Sequence, residues 1–203
     1  RTGHTSWTLS EVDFAETGPY MDTNTTATTL TPASSGTGTG VNITASSTTG
    51  INGGDGWQTT DVGRILKFNS GEAVITARTN TTVVVCTITK AFANTDATAA
   101  FNLGSFSDTT GHPSVVTFFQ QRLVFAGTSD QPQTMFFSKS GDYENMTAGT
   151  DADDAMIYTI ASNQVNAIKA MKATRTLIVM TTGGEYAVSA GTASAITPTN
   201  ISI

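Results

Sequence analysis

An all-β fold is predicted by three observations. Only 13% of the 203 residues are Asp, Glu, Lys or Arg. The polar surface must therefore come from Thr, Ser, Asn and Gly, which suit strands and turns better than helix faces. The apolar residues recur in short runs of period two, as in VVVCTIT from Val83 and RLVFA from Arg122. Polar or glycine-bearing pairs separate these runs at hairpin spacing, as at Gln120-Gln121. With 38% apolar residues the chain can build one large or two small domains around a core.

Taken in order, residues 1–21 hold one strand, WTLSEVDF, and a turn at Gly18-Pro19. Residues 22–100 read as an inserted small β-barrel or sandwich domain. Within it TATTLT and VNITAS alternate in strand fashion despite their low complexity. VGRILKF, EAVITAR and TVVVCTIT follow, turning at Asn69-Ser70-Gly71 and Thr79-Asn80-Thr81. Residues 101–162 form a first four-stranded unit: VVTFF, RLVFAGT, TMFFSKSG after a loop from Gly127 to Pro132, and a last strand from Ala155 to Ile160. Phe125 is expected in the core of its second strand. Residues 163–203 loosely repeat this pattern when Leu123-Val124-Phe125 is laid on Leu177-Ile178-Val179, and Gly183-Gly184 reads as a hairpin turn needing positive φ. The repeat length fits two propeller-like blades, the second incomplete. A blade cannot bury both faces of its sheet alone, so neighbours must supply cover.

Composition excludes several functions. A net charge of −6, with ten scattered basic residues, argues against a nucleic-acid-coating surface. No apolar run approaches the roughly 18 residues that cross a bilayer, and no signal-peptide pattern opens the chain. The one cysteine, Cys86, lies in an alternating run and is expected to be a small buried hydrophobe. The chain begins at Arg1 without a methionine and ends on ITPTNISI, which suggests an excised fragment.

Candidate chemistry is sparse. His4 and His112 stand in turn-like settings outside any zinc or hydrolase motif, and are expected to bond to backbone. Asp151, Asp153 and Asp154 cluster downstream of Asp142 and Glu144; they could bind Ca²⁺ or serve glycoside hydrolysis, but EF-hand spacing is not met. Trp7 and Trp57 are the only tryptophans that could act as sugar platforms. Gly36-Thr37-Gly38-Thr39-Gly40 opens a strand rather than a helix, so it fails as a phosphate cradle. Arg122, beside Gln120 and Gln121, is expected to pair with a carboxylate, Asp142 or Glu144. No catalytic residue, cofactor or established metal site is expected.

Several blocks together resemble the tail tubular (nozzle) proteins of short-tailed, podovirus-like bacteriophages. They are RTGHTSW, Gly18-Pro19-Tyr20, TTLTPASSGTGTGVNITAS, DVGRILKF, LGSFSDTTGHPSVVTFFQQRLVFAGT, PQTMFFSKSGDYENM, DDAMIYTIASNQVNAI, TTGGEY and ITPTN, in the family's order across nearly the whole chain. Gln121, Arg122, Gly127, Pro132, Gly141, Asp142, Tyr143, Gly183 and Gly184 carry its structural signature. Residues 22–100 resemble the FCCH-like inserted β-domain of some members. Tryptophans common near Phe101, Val124 and Ala170-Met171 in the family are replaced here by other apolar residues.

The resemblance implies a non-enzymatic virion protein. Within the full-length protein, which is much longer in the family, about six copies would form a ring that prolongs the portal and adaptor channel and passes DNA without sequence-specific contact. This segment would insert in no membrane. The competing reading is a glycan- or host-surface-binding β-module of a phage or bacterial adhesin. A third, a depolymerase using the Asp151–Asp154 carboxylates, has least behind it.

Overall fold

The computed structural model describes residues 18–203; the WTLSEVDF strand, His4 and Trp7 lie outside the described residues. Every named strand belongs to one of three antiparallel sheets, and the fold is all-β. The first sheet uses β1 (Leu30–Pro32), β2 (Gly38–Ala45), β3 (Ile65–Phe68), β4 (Gly71–Arg78), β5 (Val83–Lys90) and β6 (Phe101–Leu103), in the order β1-β2-β5-β4-β3-β6. Alternation explains its core: Val84, Cys86 and Ile88 of β5 point inward and meet Leu30, Ile43, Leu66, Ile75 and Phe101. The sheet curls into a half-barrel. Its end strands are covered by further backbone pairing: Leu30 bridges Thr98, Tyr20 bridges Gly104, and Met21 N–H donates to the Leu103 carbonyl. Cys86 is fully buried, and burial pushes its thiol up to about 12, so it stays an unreactive packing residue. Trp57 is likewise 0% exposed; it fills the core beside β4 and cannot serve as the sugar platform considered from sequence.

The second sheet runs β10-β9-β8-β7, from β7 (Val115–Phe119), β8 (Arg122–Ala126), β9 (Thr134–Phe137) and β10 (Met156–Thr159). The third runs β11-β12-β13, from β11 (Ile168–Ala173), β12 (Leu177–Thr181) and β13 (Glu185–Val188). Beyond β13, Ser189 and Ser202 exchange backbone hydrogen bonds, so the chain re-enters beside the third strand of this sheet. The second and third sheets pack together with β7 against β11. They share one core of Phe119, Val124, Ala126, Met135 and Phe137 from one side and Ile168, Leu177, Val179 and Val188 from the other.

One expectation is overturned here. In β8 the core residue is Val124, at 0% exposure, whereas Phe125 is half-buried on the opposite face, edge-on to Phe106 at 6.2 Å. The internal repeat shifts with it. The inward phases of β8 and β12 coincide when Arg122 lies on Leu177, one residue away from the alignment read off the sequence. In a strand a slip of one exchanges the two faces.

Two hairpins close through two-residue turns with both central residues at positive φ: Asn69 (45°) with Ser70 (62°), and Gln120 (49°) with Gln121 (59°). Such turns follow the right-handed strand twist but favour Asn-Gly, because a Cβ in this region costs about 1–2 kcal/mol per residue. Gln121 is exposed. Gln121→Gly is therefore expected to raise stability by about 0.5–1 kcal/mol, seen as a higher urea midpoint at unchanged slope. Gln120→Gly should not, since the Gln120 Oε1 accepts the Ile196 N–H at 2.7 Å.

Candidate functional site

Seven of the nine signature residues, all but Gly183 and Gly184, converge on the β7–β8 hairpin and the loops around it. Gly141 (φ 76°) donates its N–H to the Gln121 carbonyl at 2.8 Å, which fastens the loop after β9 to the hairpin turn. Two residues on, the Tyr143 ring meets Phe118 of β7 edge-on at 5.1 Å. Asp142 closes a tight turn by donating its N–H to the Lys139 carbonyl. At the other end of β8, Gly127 (φ 72°) lies where a Cβ would come within 3.0 Å of the Ile168 carbonyl, and the Pro132 carbonyl accepts the Ile168 N–H at 2.9 Å. Gly127 and Pro132 therefore seat the first residue of β11 and form the joint between the two sheets.

Arg122 does not make the expected carboxylate pair. Its side chain is 2% exposed and reaches beneath the acidic loop. There Nη1 donates to the carbonyls of Ser138 (2.8 Å), Asp153 (3.3 Å) and Asp154 (2.6 Å), and Nη2 to that of Ala152 (2.8 Å). The planar fork suits converging carbonyls as well as it suits a carboxylate. Burial draws the guanidinium down from its usual range, and the negative charges of Asp153 and Asp154 oppose that.

The candidate acidic cluster is organised around a cation already in the chain. Lys139 Nζ lies 3.1 Å from Asp153 and 3.6 Å from Asp154. The hydrogen bond to Lys139 holds the Asp153 carboxyl below the usual range, and the same bond raises the ammonium. Asp154 also accepts the Asp151 N–H at 3.0 Å, which makes Asp151 a loop-closing residue through its backbone. Among the described residues no group of three or more His, Cys, Asp or Glu side chains is placed to hold a metal ion. His112 contacts a side chain rather than backbone: its Nε2 lies 3.2 Å from Asp108 Oδ1, both exposed.

Gly183 and Gly184 do occupy the β12–β13 turn, where Thr181 Oγ1 accepts both their N–H groups. Neither is among the positive-φ glycines, so the reason given for them from sequence is corrected. A Cβ at Gly183 would lie 2.2 Å from Asn166 Oδ1, the end of a side chain that would have to move aside; nothing lies within 4 Å of a Cβ at Gly184.

Sequence reasoning missed a buried ion pair in the first sheet. Arg64 (1% exposed) meets Asp61 (0%) at 3.1 Å just before β3. Arg64 Nε also donates to the Gly104 carbonyl, and Nη1 to Asn52 Oδ1 at 2.7 Å. The available signal was two opposite charges three residues apart at the mouth of an apolar strand, in a chain with few charges. Two clefts border these structures. One, about 420 Å³, lies between β6 and β10 and includes Tyr20, Lys67, Asn102 and Tyr158; the other, about 310 Å³, opens at Arg64 beside Asp22, Asp55 and Asp130. The Tyr20 hydroxyl is raised by burial and by neighbouring Glu72.

Compared with known proteins, the chain matches no family model and no curated protein. The signature residues do structural work: turn closure, a carbonyl clamp and the joint between sheets.

Proposed function

We propose that this chain is a structural, non-catalytic part of a short phage tail, a nozzle-type subunit of the channel through which the genome leaves the virion. The observation that carries the reading is the ordered set of sequence blocks resembling podoviral tail tubular proteins. The geometry around those blocks supports it: Gln121, Arg122, Gly127, Pro132, Gly141 and Tyr143 each fasten one piece of β-structure to another. The second and third sheets are read as consecutive propeller-like blades, with the curled sheet of 30–103 as the inserted domain. The net charge of −6 suits a wall along which DNA slides without adhering. Partners would be further copies in a ring of about six, with portal or adaptor proteins above.

The alternative, a glycan- or host-surface-binding module, is favoured by one feature, the exposed Phe118–Tyr143 ring pair. Expressed within its full-length chain, the protein is expected to form closed rings in negative-stain electron micrographs and to retain no sugar on a glycan array. A strictly monomeric species with selective glycan binding reverses the choice.

A further inference from the structure

The connection between β2 and β3 carries the one Asn-Gly pair of the sequence, Asn52-Gly53. In such a pair the glycine nitrogen can close on the asparagine Cγ with no side chain of its own in the way. The pair enters a tight turn, with Asn52 at φ 49° and Gly53 at φ 68°, which the Asp55 N–H closes by donating to the Asn52 carbonyl at 3.3 Å. Gly53 is exposed and Asn52 half-buried. Both line the cleft of about 310 Å³ beside Arg64, so water reaches them.

Both ends of the Asn52 amide are held. Nδ2 donates to Asp61 Oδ2 at 2.7 Å and to the Gly56 carbonyl at 3.0 Å, while Oδ1 accepts the Arg64 Nη1–H at 2.7 Å. Asp61 and Arg64 are themselves 0% and 1% exposed, so the grip on this exposed turn is anchored in the core. Cyclisation requires Cγ to turn onto the Gly53 nitrogen. A side chain fastened at both amide atoms cannot turn without giving up these three bonds together.

We propose that Asn52-Gly53 is a latent self-modification site, held shut by the Asp61–Arg64 pair and converted one way once that grip opens. The Gly53 nitrogen attacks Cγ and forms the new N–C bond of a succinimide. The Cγ–Nδ2 bond breaks, and ammonia leaves with the proton from the Gly53 N–H. Water then opens the ring, at Cγ to leave aspartate or at the main-chain carbonyl to leave an iso-aspartyl linkage. Either product puts a carboxylate at position 52 and removes the amide that donated to Asp61. Two carboxylates so close repel each other, so the original grip does not re-form. A transient opening of the turn is thereby written into the covalent structure.

Peptide mapping by mass spectrometry tests the site by following loss of the Asn52 amide at mildly alkaline pH. Folded wild-type protein should convert at least about tenfold more slowly than the same chain in urea above its unfolding transition, because reaction waits on local opening. Asp61→Asn, which removes the charge and one acceptor oxygen, should convert several-fold faster than wild type while keeping a cooperative urea transition. Equal rates in folded and unfolded wild type overturn the proposal, as does a folded Asp61→Asn that converts no faster than wild type. If Asp61→Asn does not fold, wild type in urea below the transition takes its place. Conversion should then accelerate ahead of global unfolding, and acceleration only in step with it overturns the local grip. Asn52→Asp tests the one-way step by itself. Its urea midpoint should fall below that of wild type, and an unchanged midpoint overturns the claim that the product cannot be re-gripped.

Discussion

Arg122→Ala is expected to destabilise the two-sheet unit by about 3 kcal/mol, measured as a fall in urea midpoint at constant slope. The carbonyls of Ser138, Ala152, Asp153 and Asp154 would lose their shared donor at once. They come from the two ends of the single connection between β9 and β10, so the loss is concentrated in the segment from Ser138 to Ala155 that closes over the hairpin. Arg122→Lys separates charge from geometry. An ammonium keeps the positive charge near Asp153 and Asp154 but cannot reach carbonyls on both sides as a fork does. It should recover less than half the loss. Limited proteolysis adds a local readout: cleavage within 141–154 should accelerate in both variants before global unfolding does. Lys139→Met, which removes the half-buried partner of Asp153 and Asp154 at the loop surface, should change little by comparison. If Arg122→Lys matched the wild type in both measurements, charge alone would suffice and the clamp would be wrong.

The same residue marks the boundary of what the sequence could tell. Strands were legible because their apolar residues alternate, and their hairpin turns because Asn69-Ser70 and Gln120-Gln121 interrupt that alternation at two-residue spacing. Which face of β8 points inward was not legible. In RLVFA both faces carry apolar side chains, so period two gives no sign, and the larger Phe125 was preferred to Val124. The charged residue Arg122, expected to pair with a carboxylate, is the one that shares the buried face with Val124. Its partners are carbonyls some thirty residues downstream, and backbone acceptors leave no mark in a side-chain pattern. The pairing of β2 with β5 was hidden for a similar reason: two intervening strands separate them in sequence, and nothing local encodes the match. Of the signature glycines, Gly127 and Gly141 show the positive φ that glycine favours, whereas Gly183 and Gly184 do not.

A second large loss is expected at the ion pair of the first sheet. Asp61 accepts three kinds of donor: Arg64 Nη1 at 3.1 Å, Asn52 Nδ2 at 2.7 Å and the Gln58 N–H at 2.8 Å. Asp61→Ala removes all of them and leaves a guanidinium at 1% exposure without its counter-charge. Breaking a buried pair in this way costs about 3–5 kcal/mol. The pair itself need not be favourable relative to an apolar filling, because both charges were desolvated to form it. The double variant Asp61→Ala/Arg64→Met should therefore be more stable than Asp61→Ala alone, although the Gly104 carbonyl loses the Arg64 Nε–H as well. A double-mutant cycle by urea unfolding measures the coupling, expected at about 1–3 kcal/mol for residues in direct contact. Additive effects would mean that Arg64 is held by Gly104 and Asn52 rather than by charge. A loss below about 1 kcal/mol for Asp61→Ala would mean that water reaches the guanidinium through the cleft beside Asp22 and Asp130, and that the pair is not sealed.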